Sequence, residues 1–124
     1  KPHRILVALS RRAFREGMRE MLERNGYMAM AADHGEAALR LAEENRPSAA
    51  ILDSDLAPRG GLDALKQLEL AGLGCPALLV VEDAAPKIGR IAGICQTRVL
   101  SRQLPAGDFL DAIEDMTRHF EEPH

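Results

Sequence analysis

Short apolar segments alternate with amphipathic helical patterns five times along this chain, and that alternation restricts the fold more than any other feature. Buried strands that alternate with helices form parallel sheets, because each crossover connection lays a helix on one face of the sheet. The sequence therefore predicts an α/β fold, a doubly wound parallel sheet in three layers. Strands are expected over 5–9, 27–31, 49–52, 77–81 and 98–100.

The predicted helices follow from apolar residues spaced three and four positions apart. In the first helix this spacing places Phe14, Met18 and Leu22 on one face. Gly89 and Gly93 weaken the fourth predicted helix, because glycine is a poor helix former. After the first helix, four further helices are expected, over 35–45, 62–70, 88–95 and 108–120.

Length and composition predict one globular domain over residues 1–124. A net charge of −3 and an aromatic content of 3% argue against direct nucleic-acid binding, which needs a basic surface and stacking aromatics. Cys75 and Cys95 lack metal-ligand spacing, and we interpret both as reduced, buried residues. No segment approaches the ~18 apolar residues of a membrane span, so we expect a cytoplasmic protein or the cytoplasmic part of a membrane-bound one. The chain begins at Lys1 rather than Met, which suggests a piece of a longer protein.

Asp53 is the most informative single residue. It ends the apolar run 49–52, and the turn-rich segment 57–61 follows it. Open α/β sheets place their chemistry at the carboxyl ends of the strands, so this carboxylate is a candidate site residue. The first predicted strand ends at the same edge with Leu9 and Ser10, where a metal site would need further carboxylates.

The chain resembles the receiver domain of bacterial two-component response regulators over essentially its whole length. The resemblance is carried by the runs 4–7, 14–27, 33–42 and 47–53, and by a loop, 56–62, similar to the one that follows the phosphorylated Asp in that family. It implies a flavodoxin-like (βα)5 fold with strand order 2-1-3-4-5. It also implies a role in phosphorelay signal transduction rather than an enzymatic activity with catalytic residues of its own.

The chain keeps only one of the functional residues of the family's site. Asp53 aligns with the phosphoacceptor. The other functional positions are altered: the acidic pair that holds Mg²⁺ is replaced by Leu9 and Ser10, the hydroxyl residue by Val81, the aromatic switch residue by Val99 and the lysine by Arg102. Because Mg²⁺ prefers an oxygen shell anchored by carboxylates, we expect it to bind weakly or not at all.

Several charged residues near the predicted edge have two interpretations. Arg11 or Arg102 could serve as a built-in cation beside Asp53, or Arg11 could be a solvated loop residue. Glu82 and Asp83 could rebuild a cation site, although a loop position or a helix N-cap explains them more simply.

We interpret the chain as a pseudo-receiver that acts mainly through phosphorylation-independent protein contacts. The first alternative is a receiver that accepts a phosphoryl group on Asp53 from a histidine kinase. The second is a sensor of anionic small ligands that uses the arginine-rich first helix. Expected partners are a histidine kinase, an output domain or another receiver. The resemblance implies that a homodimer would form through the fourth helix, fifth strand and fifth helix.

Overall fold

The computed structural model of the chain describes residues 2–82, 89–90 and 96–121. Strands and helices alternate along most of this length, as the sequence predicts. None of the helices in these ranges is long and apolar enough to cross a membrane. The elements are β1 (Arg4–Ala8), α1 (Arg12–Arg24), β2 (Met28–Ala32), α2 (Gly35–Asn45), β3 (Ala49–Asp53), α3 (Gly61–Leu70), β4 (Ala77–Val81), β5 (Gly89–Arg90), β6 (Thr97–Ser101) and α4 (Ala106–Glu121).

The sheet has the order β2-β1-β3-β4-β6-β5. Its five longer strands are parallel and β6 is the fifth predicted strand, so the predicted order 2-1-3-4-5 is confirmed. The short strand β5 pairs antiparallel with β6, with Gly89 opposite Val99. The prediction of a helix is therefore wrong at Gly89–Arg90, where backbone pairing with β6 replaces it. The rest of that predicted helix, including Cys95, lies outside the described residues.

Two apolar layers enclose the sheet. Alternate residues of β1 point to opposite faces, so that Leu6 packs with α2 and α3 while Ile5 and Val7 pack with α1 and α4. On the second face, the rings of Phe14 and Phe109 meet edge to face at 5.9 Å and tie α1 to α4. The core is mostly aliphatic, as the low aromatic content requires. Burial on both faces explains why the central strands are almost purely apolar.

The chain returns tightly from β3 to α3. The Gly60 N–H donates to the Leu56 carbonyl at 2.6 Å, and the Gly61 N–H donates to the Ser54 carbonyl at 3.1 Å. Gly60 has a φ of +94°, a conformation that favours glycine. A Cβ atom at Gly61 would overlap the Asp53 carbonyl group and lie 2.9 Å from Leu79 Cδ1. The start of α3 is thus held directly against the end of β3.

Gly61→Ala should destabilise the domain, because the new methyl group would collide with the backbone of Asp53 and force α3 outward. We expect a loss of about 2 kcal/mol or more in the free energy of unfolding, measured by urea denaturation. Gly17→Ala is the matched control. Gly17 is exposed in the middle of α1 with nothing within 4 Å of a new Cβ atom, so this change should stabilise the helix by about 0.5–1 kcal/mol. Equal stability of the two variants would contradict the close approach at Gly61.

Candidate functional site

Asp53 lies at the carboxyl edge of the sheet, where β3 ends between β1 and β4. The register places Leu52 opposite Ala8, and Asp53 opposite Val80. Only 5% of Asp53 is exposed, although it is the last residue of its strand. The sheet therefore holds a nearly buried carboxylate at the position where the sequence predicts the site.

The backbone of Ser10 binds the Asp53 side chain directly. Its N–H donates to Oδ2 of Asp53 at 2.6 Å, which confirms that the first strand ends beside this carboxylate. Leu9, by contrast, is fully buried in the layer between the sheet and the helices α1 and α4. Of the two positions where the family has its acidic pair, one supplies an apolar core side chain and the other a hydrogen-bond donor.

Arg15 holds this turn in place, a role that the sequence analysis missed. Its Nη1 atom donates to the Leu9 carbonyl at 2.9 Å and, at 3.4 Å, to the Ser10 carbonyl. A cation on these two carbonyls orients the Ser10 peptide, whose N–H faces Asp53. The available signal was an arginine in the first turns of the helix that follows β1. Periodicity places such a residue on a helix face but does not show that it folds back onto the preceding loop.

The two arginines predicted as cation partners of Asp53 instead bind Glu82. Arg11 Nη2 donates to Glu82 Oε1 at 3.1 Å. Arg102 donates from Nε to Oε2 at 3.2 Å and from Nη2 to Oε1. In the described part of the chain neither guanidinium forms an ion pair with Asp53, so that prediction is wrong. Glu82 is more exposed than Asp53, and bringing an arginine to it requires less desolvation of charged groups.

The environment of Asp53 raises the pKa of its carboxyl group. The largest cause is burial, which disfavours the charged form, and the nearby charge of Asp55 adds to it. The backbone and side-chain hydrogen bonds from Ser10 and the more distant charge of Arg102 act in the opposite direction without reversing the shift. The charge of Arg102 favours the ionised carboxylate, but it is the smallest of these effects and burial outweighs it.

Val81 and Val99, which stand at the positions of the family's hydroxyl and aromatic switch residues, add no hydrogen-bonding side chain to this edge. Val81 ends β4 and pairs with Ser101 of β6, and Val99 packs partly buried against the layer formed with α2 and α3. Ser101 is buried, and its hydroxyl accepts the N–H of Gln103 at 3.2 Å. A valine side chain at the end of β4 cannot donate a hydrogen bond to a phosphoryl group.

The residues around Asp53 do not fit a magnesium ion. A magnesium ion beside Asp53 would need further oxygen ligands from the end of the first strand. Ser10 instead directs its N–H at the Asp53 carboxylate, and the Leu9 side chain lies in the core. The carboxylate of Glu82 is engaged by arginines. Within the described residues, no three His, Cys, Asp or Glu side chains are grouped so that they could hold a metal ion. Asp83 lies outside those residues.

Comparison with known proteins identifies close similarity in both sequence and fold. A model of the response regulator receiver domain family matches residues 5–114. Response regulator MprA of Mycobacterium sp. (strain KMS) is 39% identical over 94 residues, which is 75% of this chain and 40% of the relative. MprA of Mycobacterium leprae (strain TN) is 36% identical over 92 residues, 73% of this chain and 40% of that protein. The chain thus spans about two fifths of the length of these relatives.

Solved structures agree with this similarity at the level of the fold. The receiver domain of Francisella response regulator 1452 superimposes with a TM-score of 0.83 at 17% identity, covering 96% of this chain and 99% of that one. A CheY-like response regulator receiver domain from Methylobacillus flagellatus has a TM-score of 0.78 at 18% identity, covering 94% and 99%. At such low identity these matches establish the three-layer fold alone.

Asp53→Asn should stabilise the domain at neutral pH. Because the pKa of Asp53 is raised on folding, the native state binds its proton more tightly than the unfolded state does. The contribution of Asp53 to stability therefore falls as the pH rises from the ordinary aspartate range through the raised pKa. The advantage of the Asn variant should be full above that pKa and should vanish in acid, below the ordinary aspartate range.

Urea denaturation of the two proteins across this pH range measures the effect. Asp111→Asn, at an exposed position of α4, controls for the loss of one carboxylate. An Asn variant that is less stable than the wild type at neutral pH, with a deficit that disappears in acid, would mean that ionised Asp53 stabilises the fold.

Proposed function

The chain belongs to the response regulator receiver domain family, and from this premise we propose that it is a pseudo-receiver acting through phosphorylation-independent protein contacts. The hydrogen bond from the Ser10 N–H to Asp53 Oδ2 is the observation that carries the proposal. It gives the carboxylate an internal donor where phosphoryl transfer would require a cation to offset charge on the transferring oxygens.

Two further properties of Asp53 support the proposal. Burial raises the pKa of its carboxyl group because this environment disfavours negative charge, and the further negative charge of a phosphoryl group would be disfavoured there as well. Its burial, together with the apolar Leu9 beside it, leaves little polar surface to receive a phosphoryl group. We therefore propose that the domain has no resident Mg²⁺ and no enzymatic activity, and that Asp53 stays unphosphorylated and hydrogen-bonded to the Ser10 N–H.

The first alternative, a receiver phosphorylated on Asp53, is favoured by the position of that residue. It stands at the end of β3 in a chain 39% identical to a response regulator, so the acceptor carboxylate itself is in place. The second alternative, an anionic-ligand sensor on α1, finds less support. Arg19 of that helix is paired with Glu16 and Glu23, each at 2.9 Å, and the guanidinium of Arg15 binds backbone carbonyls.

For partners, we propose a surface formed by β6 and α4, which are the fifth predicted strand and the fifth predicted helix. This surface binds a histidine kinase, an output domain or another receiver, including a second copy of this chain. Arg98 of β6 binds Asp115 of α4 at 2.5 Å, and this ion pair links the two elements. That face carries exposed carboxylates on α4, those of Asp108 and Asp111. A two-fold axis would bring this face of one copy against the same face of the other.

Asp111→Lys should weaken association through this face, because it reverses a charge on α4 without touching the core. We expect a shift toward monomer, or weaker binding to a kinase partner, in sedimentation velocity or titration experiments. Glu20→Lys, an exposed reversal of the same size on α1, is the matched control. If the Glu20 variant abolishes association and the Asp111 variant does not, the interface lies on α1 instead.

Acetyl phosphate with Mg²⁺ should leave the protein unmodified. The reason is that the Asp53 pocket offers a buried leucine and a peptide donor where carboxylates would hold the cation. Intact-protein mass spectrometry checks this for the wild type and for Asp53→Asn. A labile phosphoryl adduct that is present in the wild type and absent from the Asn variant would overturn the proposal and establish the first alternative.

A magnesium titration monitored through backbone amide shifts separates metal binding from phosphorylation. The amides of Ser10 and Ser54 flank Asp53 and should show no saturable shift at physiological Mg²⁺ concentrations. Saturable shifts would mean that acidic residues such as Asp55 had rebuilt a cation site at this edge.

A further inference from the structure

Two guanidinium groups from separate loops meet a single carboxylate beside the Asp53 pocket. Arg11 is the N-cap residue of α1, Glu82 follows β4 and Arg102 follows β6. The Nη2 atom of Arg11 is 3.1 Å from Glu82 Oε1, and the Nε atom of Arg102 is 3.2 Å from Glu82 Oε2. A second nitrogen of Arg102, Nη2, binds the same oxygen as Arg11. The carboxylate thus joins three loops at the carboxyl edge of the sheet.

The contacts of Arg102 have the form by which arginine recognises oxyanions. Two of its nitrogens approach both carboxylate oxygens in parallel, a forked arrangement that lysine cannot make. Arg102 is also the better anchored partner, since its side chain is 24% exposed and that of Arg11 is 58% exposed. Its backbone N–H donates to the Val81 carbonyl at 2.8 Å, which keeps it beside the strand end that carries Glu82.

We infer that Arg11 and Arg102 form an oxyanion receptor and that Glu82 is its resident intramolecular ligand. The inference deepens the proposed function, on which it rests: an internal carboxylate keeps this edge in an anion-bound arrangement without phosphorylation. Two positive charges face one negative charge, so the cluster retains one net positive charge while Glu82 is bound. Removing Glu82 would leave two unopposed guanidiniums, a site suited to inorganic phosphate or a similar oxyanion.

The covalent connection of Glu82 to the chain gives it an advantage over free anions in the wild type. Glu82 is one residue beyond β4, and the register between β4 and β6 fixes the distance from its backbone to that of Arg102. A ligand held in this way acts at a local concentration that a dissolved anion must exceed to displace it. The lowered pKa of Glu82, caused chiefly by its hydrogen bond from Arg102, agrees with a carboxylate that stays ionised at neutral pH.

The test is a titration of Glu82→Ala with inorganic phosphate at neutral pH, followed through the backbone amide shifts of Ser10 and Arg102. We expect saturable binding at least about tenfold tighter than that of the wild type, because the internal competitor is gone. Glu82→Gln keeps the size of the side chain and replaces the alanine variant if that variant folds poorly. It should also bind phosphate more tightly than the wild type. Circular dichroism verifies that each variant is folded.

Matched variants separate a specific receptor from a general gain of positive charge. Glu44→Ala changes the net charge equally, but Glu44 is exposed at the end of α2, toward the opposite edge of the sheet, so its phosphate affinity should equal that of the wild type. Adding Arg102→Gln to Glu82→Ala should abolish binding. Adding Arg12→Gln instead should preserve it, because Arg12 takes no part in the hydrogen bonds to Glu82.

Phosphate binding by Glu82→Ala no tighter than by Glu44→Ala would overturn the inference, as would binding that survives the loss of Arg102. The titration involves no covalent step at Asp53. A phosphoryl adduct formed by acetyl phosphate would therefore overturn the proposed function alone, whereas a failed phosphate titration would overturn the receptor alone.

Discussion

Burial of β3 on both faces is the constraint on which the rest of this structure depends. All five of its residues are buried, and β1 and β4 flank it in parallel. A central parallel strand is covered on both faces, so its last residue is also largely buried, even when its side chain is charged. Asp53 is consequently a carboxylate in an environment that disfavours its charge. Ser10 offsets part of that cost with hydrogen bonds to the carboxylate.

The distribution of arginines around this edge follows from the cost of desolvating charge. A guanidinium brought against buried Asp53 would lose much of its own hydration, and mutual attraction does not always compensate for that loss. Glu82 lies at the surface, where a carboxylate and two arginines keep part of their water while they pair. Arg15 instead donates to backbone carbonyls of the turn. Each of these three arginines thus stabilises the loops around Asp53 without neutralising it.

Fold and site have separate physical origins in this chain, which is why one can be retained while the other changes. The fold depends on apolar strands, amphipathic helices and close approaches such as that of Gly61 to Asp53. The chemistry of the site depends on which side chains stand at strand ends and in loops, and the same sheet and helices form with either polar or apolar residues at those positions. Membership of the receiver family therefore establishes the architecture, whereas the function of this member must be argued from Asp53 and its surroundings.

The alternation of apolar runs was enough to predict the parallel sheet, and it placed Asp53 and Ser10 at the same edge because the carboxyl ends of parallel strands meet there. The strand order that makes the two residues neighbours came from the resemblance to the receiver family. Composition was enough to indicate an aliphatic core. The antiparallel strand at Gly89–Arg90 was not predictable, since its glycine weakens a helical pattern without indicating which strand would pair with it.

The pairing of charges was decided by tertiary structure alone. The sequence by itself showed that Arg11, Glu82 and Arg102 would lie near Asp53, but several pairings were open. Which carboxylate an arginine binds depends on small differences in reach and desolvation between groups that are equally near along the strands. Only the folded arrangement, with Asp53 buried under the start of α3 and Glu82 exposed between two loops, determines that Glu82 takes both.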